Sequence, residues 1–249
     1  MTYKAYIHKD GKFPSTEWGM SAYYGFQEKK TKIVLFNDLD KVPLSRYNII
    51  VAGTEYTIKR FKDLGIEPPQ ALHIPEELNQ YLYLGRCISH MTFKMFKVLA
   101  ERNSINFPIF IKPEGYAKEF VAGPVSNREN ALLFYKDVPD DCLIMLSEIV
   151  DIVSEYRCYI LNGELIGIKH YLGDIRIFPD VRDINNMIAA YKSQPKAFAL
   201  DVGITNRGNT ILIECNDAWA LGNYGLKDKQ YAHMLAVRWH QLMTHKKVG

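Results

Sequence analysis

The stretch ALDVGITNRGNTILIECND, residues 199–217, decides how this chain reads. Two apolar, strand-like runs flank a turn near Asn206 to Gly208, which is the pattern of a β-hairpin. Two acids and an amide interrupt it where apolar residues are due: Asp201 on the outgoing run, Glu214 and Asn216 on the returning one. Residues two apart on a strand share a face, so Glu214 and Asn216 point together, and the hairpin register can bring Asp201 beside them. Three oxygen-bearing side chains in one place suit a hard cation such as Mg²⁺, which takes oxygen ligands and keeps positions for water or phosphate oxygens. The other reading of the same spacing is a set of polar positions on a solvated sheet face.

Outward from that hairpin the chain alternates element types. Upstream lies a second hairpin, SEYRCYILNGELIGIKHYLG (154–173), turning at Asn162-Gly163, and then a helical segment DINNMIAAYKS (183–193). Downstream the chain closes on the helix DKQYAHMLAVRWHQLMTH (228–245). The first quarter reads strand, helix, strand, strand, helix (KAYIHK, TEWGMSAYYGFQEK, TKIVLFN, YNIIVAG, TEYTIKRFKDLG), an order that indicates a small α/β unit with parallel pairing. Three prolines in IEPPQALHIPEEL make residues 66–78 an irregular connection. GRCISHMTFKMFKVLAERNS (85–104) reads as one amphipathic helix with Ile88, Met91, Met95, Val98 and Leu99 on its apolar face. The strands FPIFIKP (107–113) and CLIMLSEIV (142–150) follow, separated by a glycine-containing region.

With 249 residues, 47% of them apolar, the chain can bury a substantial core. Its formal charge of +3 is spread along the sequence, so no basic block asks for nucleic acid or an anionic membrane. Four scattered cysteines without a C-x-x-C pair indicate a reducing, cytoplasmic compartment. A charged N-terminus and the lack of any apolar run near the roughly 18 residues of a spanning helix argue against secretion and membrane insertion. Neither His-rich nor Cys-rich spacing suggests zinc.

Other positions fit an anionic ligand beside the hairpin. Lys112 ends an apolar strand, where its ammonium emerges as a point charge for phosphate oxygens, and Lys118 follows in a segment between Gly115 and Gly123 that could close over a polyphosphate. The apolar run at 142–150 gives way at Glu148, Ile149 and Val150, a hinge whose backbone could read an adenine edge while Glu155 accepts from ribose hydroxyls. Arg157, on the strand face of Glu155, offers a guanidinium to a phosphate; the plainer alternative is an ion pair of Glu155 with Arg157 or with a neighbour. His170 should face away from Lys169 and reads as structural. Trp18, Tyr23, Tyr24 and Phe26 read as core sooner than as a stacking surface.

Lys112, the hinge Glu148 to Val150, Glu155 seven residues after Glu148, Asp201, and Glu214-x-Asn216 thirteen beyond Asp201 together resemble the ATP-grasp superfamily, including the spacing of D-alanine:D-alanine ligases. More narrowly, IPEELNQYLYLGR, SEYRCYILNGELIGIKHYLGD, ALDVGIT and IECNDAWALGNYGL are similar to the clade named for two arginines and one lysine, in its family of uncharacterised bacterial and phage members. The resemblance covers roughly residues 75 to 240. It implies an α/β (α+β) protein with a Rossmann-like preATP-grasp region at 1–75 and a two-lobed ATP-grasp module at 76–249, its lobes at 76–147 and 148–249. It further implies ATP and Mg²⁺ as cofactors, with Lys112 and Lys118 on the phosphates, Glu148 to Val150 on adenine and Glu155 on ribose. Asp201, Glu214 and Asn216 are implied as metal ligands, Arg157 and Lys169 as basic residues at the transferred phosphate, and Arg86 as reaching the same site. Trp219, Asn223 and Tyr224 are implied to face the acceptor.

The activity implied is ATP- and Mg²⁺-dependent ligation of a carboxylate to an amine through an acyl phosphate, on a small molecule, peptide or protein. The rivals are an ATP-binding assembly chaperone and an ATP-grasp phosphotransferase. One departure stands out: many ATP-grasp ligases carry arginine two residues before the first metal ligand, and this chain has Ala199.

Overall fold

The computed structural model describes residues 3–115 and 119–244. Its first unit is β1 (Lys4–Asp10), β2 (Phe13–Pro14), α1 (Glu17–Glu28), β3 (Lys32–Phe36), β4 (Asn48–Val51) and α2 (Thr54–Asp63). β1 lies between β3 and β4 and runs parallel to both, with β2 folded back antiparallel on its end. Thr16 starts α1 by accepting from the backbone of Gly19 at 3.0 Å, satisfying one of the amides that a helix leaves unpaired at its start.

After α3 (Tyr81–Leu84), β5 (Ile88–Thr92), α4 (Phe93–Glu101), β6 (Ile109–Pro113), β7 (Gly123–Val125), α5 (Arg128–Phe134) and β8 (Leu143–Glu148) form an antiparallel sheet in the order β5-β8-β6-β7, backed by the helices. The single helix expected over 85–104 is therefore corrected. Its first part is β5, because Ile88 to Thr92 pair with Ser147 to Leu143 of β8. The α4 that remains buries Phe93, Phe96 and Ala100, and leaves Met95 exposed.

The last sheet comprises β9 (Ile152–Leu161), β10 (Glu164–Gly173), β11 (Ala197–Thr205) and β12 (Thr210–Asp217), ordered β10-β9-β11-β12, with α6 (Val181–Ala190) and α7 (Asp228–Thr244) beside it. The β9–β10 hairpin turns at Asn162 and Gly163, with φ of 51° and 81°, the left-handed pair that two-residue hairpins require. One face of this sheet packs Cys158, Phe198, Leu200 and Val202 against Ile184 and Met187 of α6. The other face joins a different core at one end: Tyr159 and Ala199 cluster with Phe26 and Phe61 of the first unit and with Tyr231 and Trp239 of α7. Phe61 stacks on Trp239 at 5.4 Å, so the last helix closes over the first unit of the chain. The fold is a mixed α/β one. No described helix is long and apolar enough to cross a membrane.

Candidate active site

Register sets the chemistry on the remaining part of that face. Lys169 pairs with Arg157, Arg157 with Asp201, and Asp201 with Glu214, so four charged residues form one row across β10, β9, β11 and β12. Directly opposed residues lie on a common face, and the row runs from two cations to two carboxylates. A bulge between Asp201 and Val202 makes Ile213 the extra residue of β12, and bulges characteristically re-aim the neighbouring side chains.

The row is wired internally. Arg157 donates Nε and Nη2 to the two oxygens of Asp201 at 2.8 and 2.6 Å, and Nη1 to the Gly222 carbonyl at 3.2 Å. Both members of the pair are buried. Burial works against the charge of Arg157, but the Asp201 carboxylate outweighs it and raises the guanidinium's pKa. Asn216 donates from Nδ2 to Asp201 Oδ2 at 3.0 Å and to Glu214 Oε1 at 3.1 Å, which leaves its own Oδ1 without a protein donor among the described residues. From the facing sheet, Lys112 Nζ reaches Glu214 Oε2 at 2.9 Å. Burial opposes the charge of Glu214, yet Lys112, the Asn216 amide and Arg157 together hold its carboxyl below the ordinary range.

A cavity of about 590 Å³ opens between the two antiparallel sheets. Its lining includes Arg86, Lys112, Glu148 to Val150, Glu155 and Glu214. That volume falls within the roughly 300–1,000 Å³ typical of small-molecule sites. Glu148 accepts from the backbone of Cys87 at 2.8 Å, which pins the hinge to the start of β5. Arg86 donates Nη1 to the carbonyls of Leu84 and Leu212, each at 2.9 Å, and Nη2 to that of Ile213 at 3.3 Å. It thus braces the β12 bulge, and Gly85 permits this because a Cβ there would stand 2.8 Å from Ile211. Arg86 has no carboxylate partner among the described residues, and burial lowers its pKa. A buried cation without an anion is costly, so its place on this cavity wall favours an anionic occupant.

A second cavity, of about 950 Å³, shares Lys112 and Glu214 with the first and is also lined by His73, Phe120, Arg157, Asn216 and Tyr224. Of the three residues expected to face an acceptor, only Tyr224 lines this space. Trp219 packs edge-on against Phe61 at 5.2 Å in the core. Asn223 braces its own turn, accepting from the backbone of Leu226 at 2.8 Å. Position 199, where many ATP-grasp ligases carry arginine, lies within the core between Tyr159 and Asn216 in register, so no guanidinium fits there and Arg157 occupies the neighbouring row. Lys169 makes no ion pair among the described residues, while Lys118 lies outside them. His170 faces away from the row and packs against Tyr156 at 5.1 Å.

Three residues at the site escape the sequence patterns. His73 accepts at Nε2 from the backbone of Gly115 at 2.8 Å and, through its carbonyl, from Cys215 at 2.6 Å, tying the start of the 115–123 segment to β12. Tyr159 accepts from the backbone of Tyr224 at 2.8 Å, and Tyr171 donates to Glu155 at 2.7 Å. The alternation that places Tyr159 and Tyr171 on the face of Arg157 was visible in the sequence; their partners were not.

The donor set meets the needs of Mg²⁺ in two of its three members. Glu214 and the free Oδ1 of Asn216 are hard oxygen ligands, and the Lys112 ammonium already places a cation against Glu214. Those two fit a divalent ion that retains water or phosphate oxygens. Asp201 is adjacent, but both its oxygens are engaged by Arg157. Among the described residues no group of three His, Cys, Asp or Glu is arranged to hold a metal.

Comparison with known proteins gives a consistent picture. The family model for an ATP-grasp domain, family 2 of the clade named for two arginines and one lysine, matches residues 83–234, more than half of the chain. The fold is similar to that of a D-alanine–D-alanine ligase from Bacillus anthracis complexed with ATP (TM-score 0.63, 14% identity, 98% of each chain covered). It is also similar to an N5-carboxyaminoimidazole synthase from Aspergillus clavatus complexed with ADP (0.59, 9% identity, 96% of this chain and 77% of that one). A RimK-domain ATP-grasp protein from Sphaerobacter thermophilus gives 0.57 at 11% identity, covering 95% of this chain and 97% of its own. No curated protein sequence matches.

Proposed function

The chain belongs to the ATP-grasp family, in the second family of the two-arginine, one-lysine clade, and from that premise we propose that it is an ATP-dependent carboxylate–amine ligase, working with Mg²⁺ and through an acyl phosphate. The observation that carries this reading is the Lys112–Glu214 contact, which forms a wall shared by both cavities and so provides one place where a nucleotide and a second substrate can meet. ATP takes the smaller cavity, with adenine at the backbone of Ile149 and Val150, ribose at Glu155, and phosphates at Arg86 and Lys112. Lys118 is expected to join the phosphates. Glu214 and Asn216 would hold Mg²⁺, with Asp201 behind them. Bound there, the ion would supply positive charge to neutralise the phosphate oxygens.

The substrate carboxylate, approaching from the larger cavity, attacks the γ-phosphorus and releases ADP. The amine nitrogen then attacks the carbonyl carbon of the acyl phosphate, phosphate leaves, and the amine's proton passes to solvent. Arg157, which lines the larger cavity, supplies fixed positive charge where the transferred oxygens gain negative charge, the kind of preorganised electrostatics that lowers such barriers, and Lys169, its neighbour in register, adds to that charge in this reading. The volume of the larger cavity, about 950 Å³ and near the upper end of small-molecule sites, extends the reading to peptide or protein carboxylates. Residues 1–75 act as the preATP-grasp region and contribute Thr54 and His73 to its lining. Four free thiols suit a reducing, cytoplasmic setting.

The test is calorimetric titration with AMP-PNP, with and without Mg²⁺, followed by product analysis with candidate acceptors. Wild type should bind more tightly with Mg²⁺, and Glu214→Ala should lose that dependence while staying folded. ADP and phosphate in equal amounts with an amide support ligation. Phosphate retained on the acceptor, binding without turnover, or a Mg²⁺ response unchanged in Glu214→Ala would each overturn it.

A further inference from the structure

Two aromatic rings on the face of the charged row have no part in the chemistry above. Tyr171 occupies a bulge in β10, where the register steps from His170–Tyr156 to Leu172–Glu155. Its hydroxyl donates to Glu155 at 2.7 Å and its ring lies against that of Tyr224, with centroids 5.1 Å apart. Burial above all, then the charge of Asp201 and the bond to Glu155, raise its pKa, so it remains a protonated donor. The Tyr224 ring covers the Arg157 guanidinium at 4.3 Å. Tyr171 lines the smaller cavity and Tyr224 the larger. The contacts Glu155, Tyr171, Tyr224, Arg157 therefore run without a break from one cavity to the other.

Arg157 is the end of that chain which can act on a substrate. A guanidinium has five N–H groups. Asp201 and Gly222 take three of them, so two lack an acceptor among the described residues and can serve an oxyanion in the larger cavity. Asp201 fixes the guanidinium along one edge. Gly222 holds Nη1 through a longer bond of 3.2 Å, and the ring lying on the face limits the tilt that remains, and so where the two remaining N–H groups aim. Tyr224 is itself half exposed and is held by its backbone bond to Tyr159 and by Tyr171.

We propose that Tyr224 is a positioning residue for Arg157 and that Tyr171 couples it to Glu155, so that ribose binding on one side of the wall sets the guanidinium on the other. Glu155 carries enough lone pairs to accept from a ribose hydroxyl while keeping Tyr171; an engaged Glu155 then clamps the ring pair over Arg157. The inference rests on the roles proposed above for Glu155 and Arg157. A merely structural ring would respond to loss of bulk alone. A positioning ring must respond to loss of its π face, and most for ligands that Arg157 reaches.

The full-length protein is titrated with Mg²⁺ and AMP-PNP, and separately with Mg²⁺ and ADP. Tyr224→Ala should weaken AMP-PNP about 3- to 30-fold, the range of a partly desolvated cation–π contact, and weaken ADP less, because ADP engages Glu155 through its ribose but lacks the γ-phosphate that Arg157 reaches. Tyr224→Phe should restore wild-type affinity and Tyr224→Leu should not. Tyr171→Phe should weaken both nucleotides through Glu155, and the Tyr171→Phe/Tyr224→Ala pair should be non-additive for AMP-PNP. Equal losses for both nucleotides, rescue by Leu, or strict additivity would overturn the proposal. A second measurement needs no nucleotide: hydrogen exchange of the Arg157 Nε–H followed by ¹⁵N NMR. It should speed up several-fold in Tyr224→Ala and Tyr171→Phe with β9 amide protection unchanged. Unchanged exchange in both variants removes the coupling. Wild type that fails to bind AMP-PNP removes the proposed function and the link to ribose with it, and the exchange measurement then decides whether the ring pair positions Arg157.

Discussion

Asp201 is where sequence and structure pull furthest apart, and truncating it separates them. As a metal ligand, Asp201→Ala should cost nucleotide binding and little else. The geometry says otherwise. The carboxylate is only 2% exposed and bonds Arg157 through both oxygens, so removing it leaves a guanidinium buried and unpaired. Breaking a buried pair from one side costs about 3–5 kcal/mol, because one charge stays in a poor solvent. For a chain of this length that lowers the melting temperature by roughly 6–20 °C. The pair as a whole contributes much less, since desolvation of two ions nearly cancels their attraction. The Asp201→Leu/Arg157→Met double variant should therefore recover most of the lost stability, yet bind Mg²⁺ and AMP-PNP poorly for want of Arg157. Thermal and urea unfolding of wild type, the single variant and the double variant, read beside calorimetry, provide the assay. If Asp201→Ala melts with wild type, or the double variant is no more stable than the single one, the reasoning about this pair is wrong.

Other consequences are as direct. Arg86→Met removes three bonds to backbone carbonyls, two of them on β12, and should cost about 2–4 kcal/mol at roughly 1 kcal/mol per bond or slightly more for a charged donor, along with weaker nucleotide binding; unfolding and titration of one sample check both. His73 has its pKa lowered, by burial first and then by Lys112, so the fold favours the neutral ring that accepts from Gly115. The stability this gives is complete above the unfolded value of about 6.5 and is lost as pH falls from there through the lower folded value; His73→Gln should flatten that part of the stability–pH curve. Burial raises the thiol pKa of Cys158 and of Cys215, whereas Cys87 is exposed. Alkylation of the native protein should modify Cys87 first and reach Cys158 and Cys215 only on unfolding, as peptide mass spectrometry can establish.

The fold was legible where local signals and tertiary pairing agree. Asn162-Gly163 can hardly be anything but a tight hairpin, and the alternation around it placed β9 and β10 correctly. Residues 88–92 show the opposite case. Their apolar spacing continues that of α4, and only β8, more than fifty residues away, turns them into a strand. The docking of α7 on the first unit is likewise a property of surfaces that meet late in the chain, Trp239 on Phe61 among them, and no local pattern announces it.

At the site the residue types were legible and their pairings were not. Lys112, Glu148, Glu155, Arg157, Glu214 and Asn216 line one pair of adjoining cavities, and hairpin register alone brought Glu214 near Asp201. That Arg157 pairs with Asp201, and not with Glu155 two residues away, follows from the β9–β11 pairing, which sets residues 157 and 201 opposite each other. The consequence is chemical. With Arg157 holding Asp201, the oxygens left for a cation are those of Glu214 and Asn216, and Lys112 already leans on Glu214. Phosphate oxygens entering the smaller cavity would compete for Lys112, so drawing Lys112 away would free Glu214 for the cation. On this account metal binding should be weak without nucleotide and strong with it: titration of Mn²⁺ followed by water proton relaxation should show little binding to the free protein and clear binding once ADP is present, and equal binding in both conditions would sink the account.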